Sequence, residues 1–332
     1  MTVLVTGGGG FLGGAVVRML HARGDHVRSF TRSAYPWLSE IGVEQAHGEL
    51  ADVAAVTAAA TDCDAVIHIA AKAGVWGRWD DYLATNVSGT ENVIAACKAH
   101  GIRKLVHTST PSVVHTGKDI ENGNESLPYA EHFISSYGRS KARAERLLLA
   151  ANSGELATVA LRPHLIWGPG DPHLIPRILA RARQGKLRRV GTRDVTVDVT
   201  YIDNAATAHV NALDHLNVGS ACAGKAYFIS NGEPVKLWEF LNRVLAIAGL
   251  PPVTRSVPVW LAKLGGRGAE TLYKIFRMAG EPAMTRFVAT QLSTSHWYDI
   301  TAAKRDLGYQ PAVTIDEGLK RLAKTLNDSR SG

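Results

Sequence analysis

The chain opens with Met1-Thr-Val-Leu-Val-Thr6, turns through Gly7-Gly-Gly-Gly-Phe-Leu-Gly13 and resumes as Gly14-Ala-Val-Val-Arg-Met-Leu20. A β-branched run, a glycine cluster and an apolar segment at helical spacing predict a strand, a tight turn and a helix. Because glycines lack side chains, the backbone amides of such a turn can approach a pyrophosphate, which the positive helix end also attracts. The stretch therefore predicts a dinucleotide cradle with Gly8, Gly10 and Gly13, and an ordinary flexible turn is the alternative.

Length and composition indicate a folded protein with more than one lobe. The 332 residues exceed the usual size of a single domain, and 45% hydrophobic and 20% charged residues are ordinary for a globular chain. The three cysteines are far apart and contain no Cys-x-x-Cys pair, so we expect neither disulfides nor a thiolate metal site. The histidines also lack metal-ligand spacing, and we therefore expect no bound metal.

Charge and hydropathy set expectations about location and partners. The first strand passes directly into the glycine turn, which leaves no room for a signal peptide, and no apolar run is long enough to span a bilayer. We therefore expect a cytoplasmic protein. The net charge of +7 favours anionic partners, including phosphates, carboxylates and a membrane surface. Basic residues crowd the segment 181–189, but no nucleic-acid-binding motif accompanies them, so we expect no nucleic-acid partner.

The end of the second expected strand, Asp25–Thr31, bears on cofactor choice. An NAD-binding protein usually carries an acidic residue there, which holds the ribose 2′-hydroxyl. This chain has Thr31-Arg32-Ser33 instead. Because an arginine suits a 2′-phosphate, we predict NADP(H) rather than NAD(H), with a plain surface arginine as the alternative.

Strand and helix patterns alternate along the first half of the chain. This alternation predicts an α/β fold with a doubly wound parallel sheet, whose ligands lie beyond the carboxyl ends of the strands. Small residues at Ala70 and Ala71 would let the cofactor pass close to one strand end. The tryptophans of Lys72–Trp79 either line an apolar substrate site or wedge that loop onto the core. The further strands are expected at Val43–His47, Asp64–Ala71 and Lys104–Thr108, and the helices at Val53–Ala60 and Asp80–Gly101.

Two later features carry the chemistry. Thr108–Ser112 places hydroxyls at a strand end, and Tyr137 and Lys141 lie one turn apart on a predicted helix. A phenol titrates near about 10, and lowering its pKa by about three units requires roughly 4 kcal/mol. An ammonium about 4 Å away supplies a comparable amount at an effective dielectric of about 20. We therefore expect Lys141 to lower the pKa of Tyr137 for proton exchange with a carbonyl or alcohol.

Three ordered motifs resemble those of extended short-chain dehydrogenase/reductases: Gly7-x-x-Gly10-x-x-Gly13, Thr108-Ser109-Thr110 and Tyr137-x-x-x-Lys141. The resemblance implies Tyr137 as the acid/base and Lys141 as the residue that binds the nicotinamide ribose. The catalytic hydroxyl, normally a serine, falls on Thr110, and Ser109 and Ser112 remain alternatives. The cofactor contacts that the resemblance implies are Gly7, Gly10, Phe11, Leu12, Gly13, Arg32, Leu50, Ala70, Ala71, Tyr137, Lys141 and Pro163.

Longer stretches resemble the 3β-hydroxysteroid dehydrogenase branch and, within it, bacterial 2-alkyl-3-oxoalkanoate reductases of long-chain olefin biosynthesis. They are Ala70–Gly77, Thr108–Val113, Leu165–Asp171 and Ala226–Pro234. The resemblance implies NADPH-dependent reduction of a 2-alkyl-3-oxoalkanoic acid to its 3-hydroxy product. It also implies assembly with a β-lactone synthetase and a β-lactone decarboxylase. A 3β-hydroxysteroid or other bulky-alcohol dehydrogenase, a nucleotide-sugar epimerase and a non-catalytic NADP sensor remain alternatives.

The domain prediction assigns 1–170 and 191–230 to a Rossmann domain, and 171–190 and 231–330 to a smaller mixed α/β substrate lobe. Within the lobe, 257–278 mixes apolar and basic residues, and we expect Gly265, Gly266 and Gly268 to interrupt it. Two ordinary helices, a membrane-surface element and a partner-docking element are the readings left open there. We also expect a helix at Lys236–Ala248, a strand at His296–Tyr298, a surface excursion at Asp119–His132 and a homo-oligomer.

Overall fold

The structure is a computed structural model that describes residues 1–278 and 280–331. Its strands are β1 (Thr2–Thr6), β2 (His26–Thr31), β3 (Glu44–His47), β4 (Ala65–His68), β5 (Lys104–Thr108), β6 (Ile120–Gly123), β7 (Ala157–Pro163), β8 (Ile166–Trp167), β9 (Arg189–Val190), β10 (Thr196–Val197), β11 (Thr200–Tyr201), β12 (Lys225–Ile229), β13 (Val235–Lys236), β14 (Ser256–Val257) and β15 (His296–Tyr298). Its helices are α1 (Phe11–Ala22), α2 (Pro36–Glu40), α3 (Val53–Ala59), α4 (Trp79–Tyr82), α5 (Gly89–Ala99), α6 (Ser136–Ala150), α7 (Leu174–Arg183), α8 (Ile202–His215), α9 (Leu237–Ile247), α10 (Val259–Ile275), α11 (Arg286–Gln291), α12 (Thr301–Leu307) and α13 (Ile315–Ser331). A π-helical turn, Leu83–Ser88, joins α4 to α5, and a 3₁₀ turn, Pro111–Val113, follows β5.

The central sheet has seven parallel strands in the order β12-β7-β5-β4-β1-β2-β3. The chain winds outward from β1 in both directions, so the order reverses between β1 and β4. In such a sheet the ligand crevice lies at this reversal, beyond the carboxyl ends of the strands. The expected doubly wound α/β fold is confirmed, and it places Thr6, His68 and Thr108 at one edge.

Burial on both faces explains why β1 reads as an unbroken apolar run. Val3, Leu4 and Val5 are buried, because helices cover the sheet on both sides. On α1, Val16 and Leu20 repeat at helical spacing and pack into the same core. The glycine turn is therefore fixed at both ends by buried elements.

A second, four-stranded sheet with the order β13-β10-β15-β6 joins the carboxyl-terminal part to the first half of the chain. The expected strand at His296–Tyr298 is confirmed, and the ring of Tyr298 stacks on Phe228 with centroids 4.1 Å apart. The segment Asp119–His132, expected as a surface excursion, also contains β6, because its residues pair with β15. The division of the chain into two lobes at the predicted boundaries stays a prediction.

The expected interruption of 257–278 by glycines is wrong, since α10 runs unbroken through all three. Gly266 is buried where a Cβ atom would lie 2.7 Å from the carbonyl carbon of Thr285, so this glycine permits close packing of α10 on the next segment. The opposite face is exposed, with Trp260 at 66% and Phe276 at 68% of their full accessible areas. Within the described residues, every helix is too short or too polar to cross a membrane, and contact with a membrane surface stays a prediction.

A buried ion pair anchors α6 to the central sheet. Glu145 of α6 is fully buried and accepts from the guanidinium of Arg162 on β7, with an Nη2–Oε1 distance of 2.5 Å. The hydroxyl of Tyr129 donates to the same carboxylate at 2.7 Å. The two buried charges stabilise each other. Removal of one would leave its partner as an unpaired charge in the interior, which is strongly destabilising.

We expect Glu145→Gln to lower the free energy of unfolding by about 3–5 kcal/mol, since Arg162 would keep a buried charge without a counterion. Urea denaturation measures this change. The matched control is Glu317→Gln, which breaks the exposed Glu317–Arg321 pair and should cost less than about 1 kcal/mol. Equal losses in the two variants would contradict a structural role for the buried pair.

Candidate active site

The glycine turn has the shape that a pyrophosphate cradle needs. A Cβ atom on Gly13 would lie 2.0 Å from the carbonyl oxygen of Gly7, and one on Gly8 would lie 2.4 Å from Ser29 Oγ. Gly7 has a positive φ of 75°, and its Cβ position is 3.1 Å from the Ala70 backbone. Gly10 is the N-cap of α1 and offers no side-chain cap, so first-turn amides there are open to an anion. The turn therefore fits a dinucleotide.

The other predicted cofactor residues lie on several elements of the central sheet and its helices. Phe11 and Leu12 begin α1, and Ala70 and Ala71 follow β4. Pro163 ends β7. Leu50 packs on Gly89 at the start of α5, and its carbonyl accepts from Asn92 Nδ2 at 2.8 Å. Arg32 is exposed directly after β2.

Tyr137 lies in the first turn of α6, next to the predicted hydroxyl cluster. Ser135 caps this helix by accepting from the amide of Gly138 at 3.1 Å. The side chain of Thr110 lies near the phenol of Tyr137 and acts to lower its pKa, while the Thr110 hydroxyl donates to Ser112 Oγ at 3.3 Å. Ser112 donates its backbone amide to Thr110 Oγ1 at 3.3 Å, whereas Ser109 Oγ is buried with no partner among the described residues. Of the three candidate hydroxyls, that of Thr110 is the one that affects the pKa of the tyrosine.

The charge state of Tyr137 differs from the sequence-based expectation. Burial raises the pKa of the phenol above its usual value, and the nearby Thr110 side chain only partly opposes this effect. The expected lowering by Lys141 is therefore wrong for the protein alone. The physical reason is that the free energy needed to remove a phenolate from water exceeds the stabilisation that its neighbours provide.

Lys141 lies one turn further along α6 and is 2% exposed. Its Nζ donates to the carbonyl oxygen of Thr108 at 2.6 Å and contacts His107 Nε2 at 3.0 Å. Burial lowers the pKa of Lys141 to about 7, and the carboxylate of Glu145 works against this shift. The lysine is thus held by β5 as well as by its own helix.

Sequence reasoning missed the polar groups beneath these residues. His68 and His107 lie side by side on the neighbouring strands β4 and β5, with ring centroids 5.0 Å apart. Asn86, in the π-helical turn, donates to Ser140 Oγ of α6 at 2.9 Å and pairs with the backbone of Lys72. The only signal in the sequence is a polar residue inside an otherwise apolar strand, which does not reveal its partner. Such π-helical turns often occur at functional sites.

An open groove of about 1120 Å³ lies between the tryptophan loop and the segment 267–286. Trp76 and Trp79 line one side, and Tyr273 and Met278 belong to the other. Tyr82 donates from its hydroxyl to the carbonyls of Gly74 and Trp76, and the nearby Tyr137 contributes to raising its pKa to about 12, after burial and Glu281. The tryptophan loop therefore lines this groove, and its role in binding an apolar substrate stays a prediction.

Elsewhere the described residues contain no group of three or more histidine, cysteine, aspartate or glutamate side chains placed to hold a metal ion. Cys63, Cys97 and Cys222 are all buried and free. The chemistry available at this site is therefore that of the phenol, the lysine, the hydroxyls and whatever the glycine cradle binds.

Comparison with known proteins places the chain among dehydrogenases. The 3-beta hydroxysteroid dehydrogenase/isomerase family matches residues 4–259. The protein belongs to this family. Its members are oxidoreductases of the short-chain dehydrogenase/reductase type that act on hydroxyl or ketone groups, which confirms the predicted enzyme class.

Within the family, a 2-alkyl-3-oxoalkanoate reductase of Stenotrophomonas maltophilia is 54% identical over 97% of this chain and 98% of its own. A human sterol-4-alpha-carboxylate 3-dehydrogenase (decarboxylating) is 34% identical over 98% of this chain and 88% of its own. Among solved structures, a Thermus thermophilus UDP-glucose 4-epimerase in complex with NAD is 25% identical, with a TM-score of 0.74 and coverage of 98% of this chain and 99% of that one. The Rossmann fold thus joins this family member to nicotinamide-dependent enzymes.

We expect Thr110→Val to lower kcat for ketone reduction by about a hundredfold, because a hydrogen bond at the reacting oxygen would be lost. Steady-state oxidation of the reduced nicotinamide measures the rate. Ser109→Ala is the matched control and should change kcat by less than about threefold, since Ser109 Oγ has no hydrogen-bond partner to lose among the described residues. A larger loss from Ser109→Ala than from Thr110→Val would move the catalytic hydroxyl to Ser109.

Proposed function

We propose that the protein reduces the 3-ketone of 2-alkyl-3-oxoalkanoic acids to the 3-hydroxyl, with NADPH as the reductant. The observation that carries this proposal is the 54% identity, over nearly the full length of both chains, to a reductase named for that substrate. The more distant sterol-4-alpha-carboxylate relative supports it. In both names the carboxylate is attached to the carbon next to the one that is oxidised or reduced.

The charge state of the phenol suits this direction of reaction. A ketone becomes an alcohol when its carbon receives hydride and its oxygen receives a proton. Bound NADPH would supply the hydride. Burial raises the pKa of Tyr137, so the phenol stays protonated at neutral pH and is ready to donate. Thr110, which lies near that phenol, would orient the carbonyl oxygen between the two hydroxyls.

Residues of this chain would also hold the cofactor. The glycine turn offers open amides to the pyrophosphate, and Lys141 has one N–H left after its bonds to His107 and Thr108, which can reach a ribose hydroxyl. Arg32 follows β2 and would pair with a 2′-phosphate through a charge-assisted hydrogen bond.

The groove supports a large amphipathic substrate. Its volume of about 1120 Å³ is at the upper end of ordinary ligand pockets. Trp76, Trp79 and Met278 offer apolar surface to alkyl chains. Arg78, Arg267 and Arg277 line the same groove and give it a positive field that attracts a carboxylate.

We expect the purified protein to oxidise NADPH in the presence of a synthetic 2-alkyl-3-oxo acid, and Tyr137→Phe to lower kcat by about a thousandfold. Fluorescence titration should give the same affinity for NADPH in both proteins, because the phenol acts in chemistry. Retained turnover in Tyr137→Phe would remove tyrosine from the acid/base role.

A second candidate is a 3β-hydroxysteroid dehydrogenase, which the family match itself favours. The same assay with a steroid ketone in place of the 2-alkyl-3-oxo acid separates the two. A higher kcat/KM for the steroid would overturn the proposed substrate and leave the roles of Tyr137 and Thr110 intact.

For the cofactor, we expect Arg32→Ala to weaken NADPH binding by about tenfold or more, since a charge-assisted bond to the 2′-phosphate would be lost. NADH binding should change by less than about twofold, because NADH has no phosphate at that position. Arg18→Ala on α1 is the control and should leave both affinities unchanged; its guanidinium lies over the ring of Trp37, 4.8 Å from the centroid. An equal effect of Arg32→Ala on both cofactors would contradict the assignment.

A further inference from the structure

A buried imidazole lies beneath the catalytic lysine and has no part in the reaction scheme above. His107 belongs to β5, and its Nε2 atom is 3.0 Å from Lys141 Nζ. The carbonyl oxygen of Thr108 accepts from the same Nζ at 2.6 Å. An ammonium has three N–H groups. Two of them therefore point into the protein, and the third is left for the phenol and cofactor side of α6.

The contact with Lys141 dictates the form of the His107 ring. An ammonium has no lone pair, so Nε2 accepts when Lys141 is charged, and the ring proton then lies on Nδ1, which is buried and has no partner among the described residues. Burial, with the positive charge of Lys141, holds the pKa of His107 well below its usual value, so the ring stays neutral. Only a neutral imidazole with its proton on Nδ1 can serve as this acceptor.

The ring of His68 packs against the ring of His107, and both of its nitrogens are hydrogen-bonded. Thr6 Oγ1 accepts from two backbone amides after β4, so its own O–H donates to His68 Nδ1 at 2.8 Å. His68 Nε2 then donates to Thr90 Oγ1 at 3.1 Å, and Thr90 donates in turn to the carbonyl of Asn86. A ring with both nitrogens bonded cannot easily rotate. His107 therefore packs against a rigid neighbour.

We propose that His107 is a positioning residue for Lys141, whose neutral Nε2 aims the ammonium at the phenol and the ribose and stabilises its charged form. This inference deepens the proposed function and rests on the role of Lys141 given there. The sequence contains no motif for it, because His107 lies inside an apolar strand, 34 positions from the lysine.

The proposal has a consequence for the pH profile. Burial lowers the pKa of Lys141 to about 7, and the loss of an acceptor would lower it further, since the ammonium form would lose a hydrogen bond. The other titratable groups that act on the pair are Glu145 on α6, His68 on β4 and His209 on α8. None of them would replace the lost acceptor, because Glu145 is committed to Arg162 and His209 to Thr108 Oγ1 and a helix carbonyl.

The first test uses the unmodified protein and needs no substrate. Two-bond ¹H–¹⁵N spectra of histidine-labelled protein distinguish the two neutral ring forms, and comparison with His107→Gln assigns the signal. We expect His107 to carry its proton on Nδ1 throughout the pH range in which the enzyme is active. A proton on Nε2 would overturn the proposal, because that atom could not then accept from Lys141.

The second test is the pH dependence of kcat. His107→Leu keeps the volume and removes the acceptor, so we expect kcat to fall about tenfold at neutral pH. The alkaline limb of the profile should move down by about one pH unit or more, as expected for the loss of a hydrogen bond to a charged group. His107→Gln supplies an amide oxygen and should restore both properties to near the unmodified values.

The matched control is His209→Leu, which removes another buried imidazole of the same region that does not touch Lys141. We expect it to affect thermal stability and to leave the alkaline limb in place. An unshifted limb in His107→Leu, or equal shifts in both leucine variants, would overturn the proposal. If His107→Leu does not fold, the ring form in the unmodified protein and the profile of His107→Gln decide the matter. A protein that prefers a steroid ketone would fail the substrate assay alone, since the ring form is read without substrate.

Discussion

The close approach of two strand ends is the constraint on which the site depends. At the carboxyl ends of β1 and β4, the close approach of Ala70 and a positive φ of 75° disfavour a side chain at position 7, and Thr6 Oγ1 accepts from the amides of both Ile69 and Ala70. This junction opens the glycine turn toward the crevice. It also turns the hydroxyl of Thr6 toward His68, so the cofactor cradle and the buried histidines share one set of hydrogen bonds.

From that junction, polar contacts continue beneath the crevice to α6. His68 packs on His107, His107 contacts Lys141, and Asn86 bonds to Ser140 of the same helix. The buried Glu145–Arg162 pair fixes the far half of α6 to the sheet. Because these groups are buried and hydrogen-bonded, they fix α6 to the sheet at several points along its length. The first turn of the helix therefore places Tyr137 near the hydroxyls that follow β5.

Burial also determines the charges that are available for chemistry. Desolvation keeps the phenol of Tyr137 protonated and makes the lysine only partly protonated near neutral pH. A simple pairwise argument between an ammonium and a phenol gives the opposite result for the tyrosine. That argument counts the attraction between charges and leaves out the cost of removing both from water, which is the larger quantity in this interior.

The carboxyl-terminal part builds the groove and leaves one helix face open. α10 contributes Tyr273 to the groove through an edge contact with Trp76, at a centroid distance of 6.4 Å. Its other side exposes large apolar residues that no described part of the chain covers, including Trp260, Leu264 and Ile275. The same helix therefore lines the groove with one side and leaves its other side exposed.

Much of this architecture was determined by the sequence alone, because it depends on local patterns. The glycine spacing, the strand and helix periods and the Tyr137–Lys141 spacing predicted the doubly wound sheet, the turn and the helix α6, and the motifs pointed to the family. Tertiary structure decided what depends on residues far apart in the chain: the choice of Thr110 as the hydroxyl that affects the pKa of the phenol, the burial that sets the pKa of Tyr137, and the contact of His107 with Lys141. It also decided that α10 continues through its glycines, since Gly266 lies where only a hydrogen fits against Thr285. The physical reason is that propensity and spacing act over a few residues, whereas burial and hydrogen-bond partners are set by segments that meet only in the folded chain.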